Sequence, residues 1–278
     1  MISKREIEIR GLRFRALEAG AGGEPVLLLH GFPDTSLAWT GLMTTLAEAG
    51  YHCLAPDQRG YSPGARPAEV ESYRYEELAA DALAFGRELG GRFHLVGHDW
   101  GAIVGWLTVA TDPSPVASFT AISIPHYAAW ARSVYDDPGM EFYRDQLLAP
   151  WMTEGVGEAS LTSEILRTIW AVKPPEQVDE SLARLTEPGA MTAALNWYRA
   201  SRGHKRAFED FEIPAVAVPT LLIWGREDLG KRALTDAESL MTGDYRVAEL
   251  DGGHFIVDEQ PTLVAEETLA HLRAHPAR

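Results

Sequence analysis

Short apolar runs alternate with amphipathic stretches along the first third of the chain. Residues 6–9 and 14–19 predict two short strands, followed by a glycine-rich turn at 19–25. Val26, Leu27, Leu28 and Leu29, ahead of His30, form an unbroken apolar run of the kind found in a strand buried on both faces. The segment 38–49 predicts a helix that stops at Gly50, and 52–55 a further strand. A longer helix over 75–89 ends at Gly90 and Gly91. A strand over 93–97 and a helix over 101–110 come next. Strand and helix in alternation argue for a parallel sheet joined by right-handed crossovers.

After Ile122-Ser123-Ile124-Pro125 the rhythm breaks. From 127 to 212 the chain offers helical stretches and turn signals, with Trp130, Trp151, Trp170 and Trp197 among them, and no strand pattern. The sheet pattern returns with Thr220-Leu221-Leu222-Ile223-Trp224, a helix near 232–241, a strand over 245–250 and a last helix from Pro261. The expected organisation is a core domain made of 1–126 and 213–278, with 127–212 inserted as a helical cap over the carboxyl ends of the strands. That edge is where open α/β sheets bind ligands.

A length of 278 residues, 46% apolar and 23% charged, suits one large α/β domain carrying an insertion. The net charge of −15 narrows the choice of partners, because so acidic a surface repels phosphate backbones and anionic lipid. Nucleic acid is therefore disfavoured. Cys53 is the single cysteine, which rules out an intrachain disulfide and the Cys-rich zinc patterns. Charges interrupt the N-terminal stretch, unlike a secretory signal, and no apolar run nears the roughly 20 residues that span a bilayer. The chain reads as soluble and cytoplasmic, a monomer or homodimer, without membrane insertion. Its nine histidines are scattered with no His-Glu-x-x-His pattern, and no Walker-type or dinucleotide glycine motif occurs. Neither a metal nor an organic cofactor is expected. His126 and His204 read as cap-edge or surface residues.

The chemical signal is Gly97-His98-Asp99-Trp100-Gly101, set between a strand and a helix. Its Gly-x-nucleophile-x-Gly form is that of a nucleophile elbow, a tight turn holding one side chain in strained exposure at a strand tip. Aspartate stands where serine is usual, and the two act differently. Serine needs a base before it attacks a carbonyl. A carboxylate with a pKa of about 3.9 is already ionised at neutral pH. It can displace a leaving group from an sp³ carbon and form an alkyl ester with the protein. A base is needed only afterwards, to activate water against that ester. Asp99 therefore points to cleavage of a carbon–oxygen or carbon–halogen bond.

The base and its orienting acid should follow in the order nucleophile, acid, histidine. Gly252-Gly253-His254-Phe255, just past the last strand, supplies His254. Trp224-Gly225-Arg226-Glu227-Asp228 supplies the acid. Asp228 is preferred to Glu227 for its distance from the strand end, with no carboxylate in the other usual place after the strand near Ser123. It would accept the His254 Nδ1–H and fix the tautomer. In His30-Gly31-Phe32-Pro33, the backbone N–H of Phe32, paired with that of Trp100, is the expected oxyanion hole.

Taken together, HGFP at 30–33, DQRGYS at 57–62, GHDWGA at 97–102, LNWYRA at 195–200, GRED at 225–228 and GGH at 252–254 resemble the α/β-hydrolase superfamily, and within it the aspartate-nucleophile epoxide hydrolases. The resemblance covers nearly the whole chain and is specific in the core, looser in the cap. It implies the α/β-hydrolase fold, a mostly parallel eight-stranded sheet with flanking helices and an inserted helical cap. It also implies two cap tyrosines that hydrogen-bond the epoxide oxygen. Tyr198 matches the one in LNWYR. For the second, Tyr143 is the candidate, with Tyr127 and Tyr135 as alternatives or the residue missing altogether. A phenol with a pKa of about 10 stays protonated at neutral pH and can donate to the alkoxide as it forms. The implied reaction converts a small apolar or aromatic epoxide and water to a vicinal diol.

The nearest rival is a haloalkane or haloacid dehalogenase built on the same nucleophile. Haloalkane dehalogenases resemble HGNP where this chain has Phe32, and fluoroacetate dehalogenases carry Arg where it has Trp100. A non-catalytic small-ligand receptor on the same scaffold is the reading from a different class, and an intact nucleophile, acid and base argue against it.

Overall fold

Eight strands form one sheet: β1 (Ile2–Ile9), β2 (Leu12–Ala19), β3 (Pro25–Leu29), β4 (His52–Pro56), β5 (Phe93–His98), β6 (Val116–Ile122), β7 (Thr220–Gly225) and β8 (Tyr245–Leu250). Their spatial order is β1-β2-β4-β3-β5-β6-β7-β8. β2 pairs antiparallel with β1 and β4, and every pairing from β4 to β8 is parallel. The computed structural model describes residues 1–277. Among these, no helix is long and apolar enough to cross a membrane.

The expected parallel sheet is present, and its central strands are the unbroken apolar runs. β5, β6 and β7 are buried along their whole length, covered by helices on both faces. On one face lie Tyr75–Glu88 and Trp100–Thr111, and on the other Thr40–Glu48 and Pro261–Ala274. β1 and β2 are longer than the pattern predicts. Ser3, Lys4, Arg5 and Glu6 pair with β2 through the backbone while their side chains face water, so the hydrophobic signal fades before the strand does. Arg5 finds Glu18 and Glu88 there, and Lys4 finds Glu180. Charged side chains on an edge strand also discourage pairing with another chain.

Between β6 and β7, residues 127–212 contain helices and no strand. Their apolar faces share one hydrophobic cluster with the sheet face beneath, including Trp100, Trp130, Trp170 and Trp197. Polar ties fix the same contact. Trp197 Nε1–H donates to the Arg59 carbonyl at 2.9 Å, and Arg184 meets Asp57 at 2.9 Å. Lys173 reaches down to Asp258 at 2.6 Å and Asp34 at 3.2 Å, with its side chain 1% exposed. Burial pushes the Asp258 carboxyl up to about 6, aided by the neighbouring Asp34 and opposed by Lys173.

Removing the cation from such a buried cluster strands uncompensated charge, which costs about 3–5 kcal/mol. Lys173→Met is therefore expected to lower unfolding free energy by about that amount at pH 7.5 in urea titrations. The deficit should shrink toward pH 5, because the Asp258 carboxyl, already raised to about 6 beside Lys173, is raised further without it and takes up its proton as the pH falls, relieving the stranded repulsion.

Candidate active site

Asp99 sits where β5 ends and the helix Trp100–Thr111 begins, with φ 51° and ψ −121°. A residue with a β-carbon in that region carries strain of about 1–3 kcal/mol and persists only where its surroundings dictate it. Here the surroundings are close backbones. A Cβ on Gly101 would collide with the Leu29 carbonyl of β3, and one on Gly31 with the Asp99 side chain itself. Glycine at both positions lets the helix and the loop after β3 close on the turn. The Phe32 N–H then donates to Asp99 Oδ1 at 2.7 Å, and the helix N-terminus adds its favourable field for negative charge. Among the described residues, this is the one backbone N–H hydrogen-bonded to the carboxylate. The N–H of Trp100, the other expected donor, makes no such bond.

His254 follows β8 and Asp228 follows β7, adjacent parallel strands whose carboxyl ends bring the two loops together. His254 Nδ1 lies 3.0 Å from Asp228 Oδ2, and Nε2 lies 3.4 Å from Asp99 Oδ2. Glu227, the alternative acid, makes no hydrogen bond to the imidazole; its backbone N–H caps the Gly252 carbonyl. Burial works against a charged His254. The Asp228 and Asp99 carboxylates overcome it and hold the imidazolium well above its ordinary range. Burial likewise pushes the Asp99 carboxyl up, but the His254 bond and charge, His98 and the Phe32 N–H more than offset it, leaving the group below the usual carboxylate range.

Two residues that sequence reasoning passed over hold the His254 loop. His98 Nε2–H and Ser123 Oγ–H both donate to the His254 carbonyl, each at 2.8 Å. Burial keeps His98 neutral, lowering its pKa, so one ring nitrogen is free to donate. Ser123 stands at φ 68° at the end of β6, the place where no carboxylate was found.

Above this group lies a cavity of about 410 Å³, reached by Asp99, Asp228, His254, Tyr143 and Tyr198. Phe32, Trp130, Trp151, Ile165 and Ile169 supply much of its apolar wall. Tyr198, on the helix Ala190–Ala200, packs edge-on against Phe32 and Trp100. Tyr143 opens a π-helical turn, Tyr143–Leu148, a winding common at functional positions. Burial and the nearby Asp99 charge hold both phenols well above 10, so both remain protonated. Tyr127 and Tyr135, the alternatives to Tyr143, turn their hydroxyls to Tyr75 and to the Gly203 carbonyl and do not line the cavity. Trp100 lies beneath the site, fully buried, with its ring 5.2 Å from that of Tyr198.

His126 and His204 are corrected by the structure: both are fully buried, not at the surface. His126 packs on Trp106 and contacts the Pro214 carbonyl, while His204 Nε2 meets the Tyr143 hydroxyl at 2.9 Å. Among the described residues, no group of three or more His, Cys, Asp or Glu could hold a metal ion.

Residues 24–261 match the family described as alpha/beta hydrolase fold. The chain is 30% identical to Epoxide hydrolase A of Mycobacterium tuberculosis, over 97% of each protein. It is also 30% identical to the AB hydrolase superfamily protein YfhM of Bacillus subtilis, over 96% of each. Among solved structures, it is similar to epoxide hydrolase A from Mycobacterium thermoresistibile, at 27% identity and a TM-score of 0.83 with both chains fully covered. It is likewise similar to the epoxide hydrolase VrEH1 from Vigna radiata, at 25% identity and a TM-score of 0.86 over 98% of each.

The electrostatics make a measurable statement about His254. Asp228→Asn keeps an acceptor for Nδ1–H but removes a charge that favours the imidazolium, so the titration of His254 followed by NMR should move down by about 1–3 pH units. A midpoint unchanged from wild type would contradict the assignment.

Proposed function

The chain belongs to the alpha/beta hydrolase fold family, and from that premise we propose that it is an epoxide hydrolase acting on small apolar or aromatic epoxides. The observation that carries this reading is the pairing across one apolar cavity of a carboxylate, Asp99, with two protonated phenols, Tyr143 and Tyr198. A carboxylate attacks carbon from behind while a phenol donates to the departing oxygen, and an epoxide needs both at once. Relatives named as epoxide hydrolases support the same reading.

In the first step an Asp99 oxygen attacks a ring carbon and the strained C–O bond breaks. The ring oxygen takes a proton from a cap tyrosine, leaving a phenolate and an alkyl ester on Asp99. In the second step His254 removes a proton from water, and the hydroxide adds to the ester carbonyl. The Phe32 N–H, already on Asp99 Oδ1, stabilises the oxygen charge of the tetrahedral intermediate. Collapse releases the diol and restores the carboxylate, and the proton on His254 returns to the phenolate through water. Asp228 orients the imidazole throughout.

Charge orders the two steps. With Asp99 ionised, His254 is held protonated and cannot act as a base. Esterification neutralises Asp99 and removes one of the two charges that favour the imidazolium, so His254 releases its resting proton to solvent, serves as the base toward the intermediate, and takes a proton back from solvent once the carboxylate is restored.

A panel of styrene-type epoxides run beside a panel of haloalkanes tests the reading. Diol release is expected, and halide release without diol would overturn it in favour of a dehalogenase. His254→Gln should form the ester and fail to hydrolyse it, giving a stoichiometric mass increase on Asp99 equal to one epoxide. Asp99→Ala should give no adduct. Single-turnover hydrolysis of the ester should accelerate as pH rises through a midpoint below that of His254 in the free protein. Tyr143→Phe and Tyr198→Phe should each slow alkylation, by roughly 100-fold or more for the phenol that supplies the proton.

A further inference from the structure

His204 ends a short turn after the helix Ala190–Ala200 in which Arg202, Gly203 and His204 all lie in the left-handed region, at φ 53°, 61° and 74°. Two consecutive-but-one residues with β-carbons in that region are costly, and the turn is pinned by specific bonds. The Gly203 N–H donates to the Tyr198 carbonyl at 2.9 Å, the Tyr135 hydroxyl donates to the Gly203 carbonyl at 2.7 Å, and the His204 N–H donates to Ser201 Oγ at 3.2 Å. The ring that this turn delivers is fully buried among aromatic neighbours. It lies 5.2 Å from Trp100 at a 31° tilt and 5.0 Å from Trp130 edge-on.

Its two nitrogens join a chain of hydroxyls. Nδ1 is 2.8 Å from the Tyr127 hydroxyl, Tyr127 is 2.6 Å from the Tyr75 hydroxyl, and Nε2 is 2.9 Å from the Tyr143 hydroxyl. Burial pushes the imidazole down to about 3 against the weaker pull of Asp99, so the ring is neutral near pH 7. A neutral imidazole has one N–H and one lone pair, so the chain must run in a single direction. If Tyr75 donates to Tyr127 and Tyr127 to Nδ1, then Nε2–H donates to Tyr143, whose own O–H is left for the cavity. Run the other way, the Tyr143 proton points into the protein and Tyr198 alone is left to donate toward the substrate. The Tyr198 hydroxyl is not part of this chain.

We propose that His204 is a positioning residue whose Nε2–H aims the Tyr143 proton at the substrate oxygen and then holds the phenolate that remains. The inference rests on the reading of Tyr143 as a donor to an epoxide oxygen. When the ring opens, the proton passes from Tyr143 to the new alkoxide and the Nε2–H···O bond gains a full negative acceptor, so it strengthens as the charge develops. The imidazole keeps its proton throughout, and Tyr143 is restored from the imidazolium of His254 after the diol forms. His204 thereby leaves the Tyr143 O–H free to donate into the cavity that Tyr198 also lines.

Two measurements test this. In wild-type protein with nitrogen-labelled histidine, the His204 ring should appear as the neutral Nε2–H tautomer with no titration from pH 5 to 8. A Nδ1–H tautomer, or titration in that range, would overturn the proposal. In single-turnover experiments with an epoxide that the wild type converts, His204→Phe should slow alkylation of Asp99 by roughly 10- to 100-fold and leave hydrolysis of the ester within about twofold. Tyr127→Phe, which frees Nδ1 without touching the turn, should slow the same step by less, and His204→Gln should recover part of the loss through its amide N–H. Unchanged alkylation in His204→Phe, or equal slowing of both steps, would sink the proposal while leaving the epoxide reading intact. Absence of any wild-type adduct with epoxides would instead remove the reading on which it stands.

Discussion

The bend at Asp99 is the constraint to which the other parts of the site are fitted. A residue with a β-carbon is forced to φ 51° at the end of a fully buried strand, and Gly31 and Gly101 stand beside it because nothing larger fits. The strain fixes where the carboxylate points, and the Phe32 N–H and His254 are within reach only because it points there. The parallel sheet contributes by aligning the carboxyl ends of β5, β6, β7 and β8 along one edge, so loops far apart in sequence converge on one carboxylate.

Electrostatic balance in this group is made from few parts. One imidazole lies between two carboxylates, and its protonation follows whichever of them carries charge. In the proposed reaction, esterification of Asp99 would therefore be felt at His254 as the loss of one of these two charges. His98 and Ser123 both donate to the His254 carbonyl and so tie down the backbone that carries the ring.

Much of this was legible in the sequence because it is local. The elbow, the glycines beside it, Asp228 and His254 are short motifs at strand ends, and the buried strands announce themselves as apolar runs. The first half of β1 was not legible because Ser3, Lys4 and Arg5 carry polar side chains that bury little, so no hydrophobic alternation marks the strand. The cap was only partly so. Tyr198 lies in a recognisable stretch, whereas the orientation of Tyr143 depends on how a π-helical turn packs against distant aromatics. His204 was misread as peripheral, since its burial follows from a left-handed turn that composition does not encode. The glycine between Arg202 and His204, four residues after Asn196-Trp197-Tyr198-Arg199, was the available hint.

Lys173 has one more implication. Its ammonium is shared between Asp34, two residues after Phe32, and Asp258, four after His254. Lifting the insertion away as a rigid flap would tear a cation out of a dry double clamp and tug on both stretches that tune the nucleophile. The insertion is thereby moored to the two stretches that carry Phe32 and His254, while Ile165 of the insertion and Leu229 of the loop after β7, both lining the cavity, stay open to solvent.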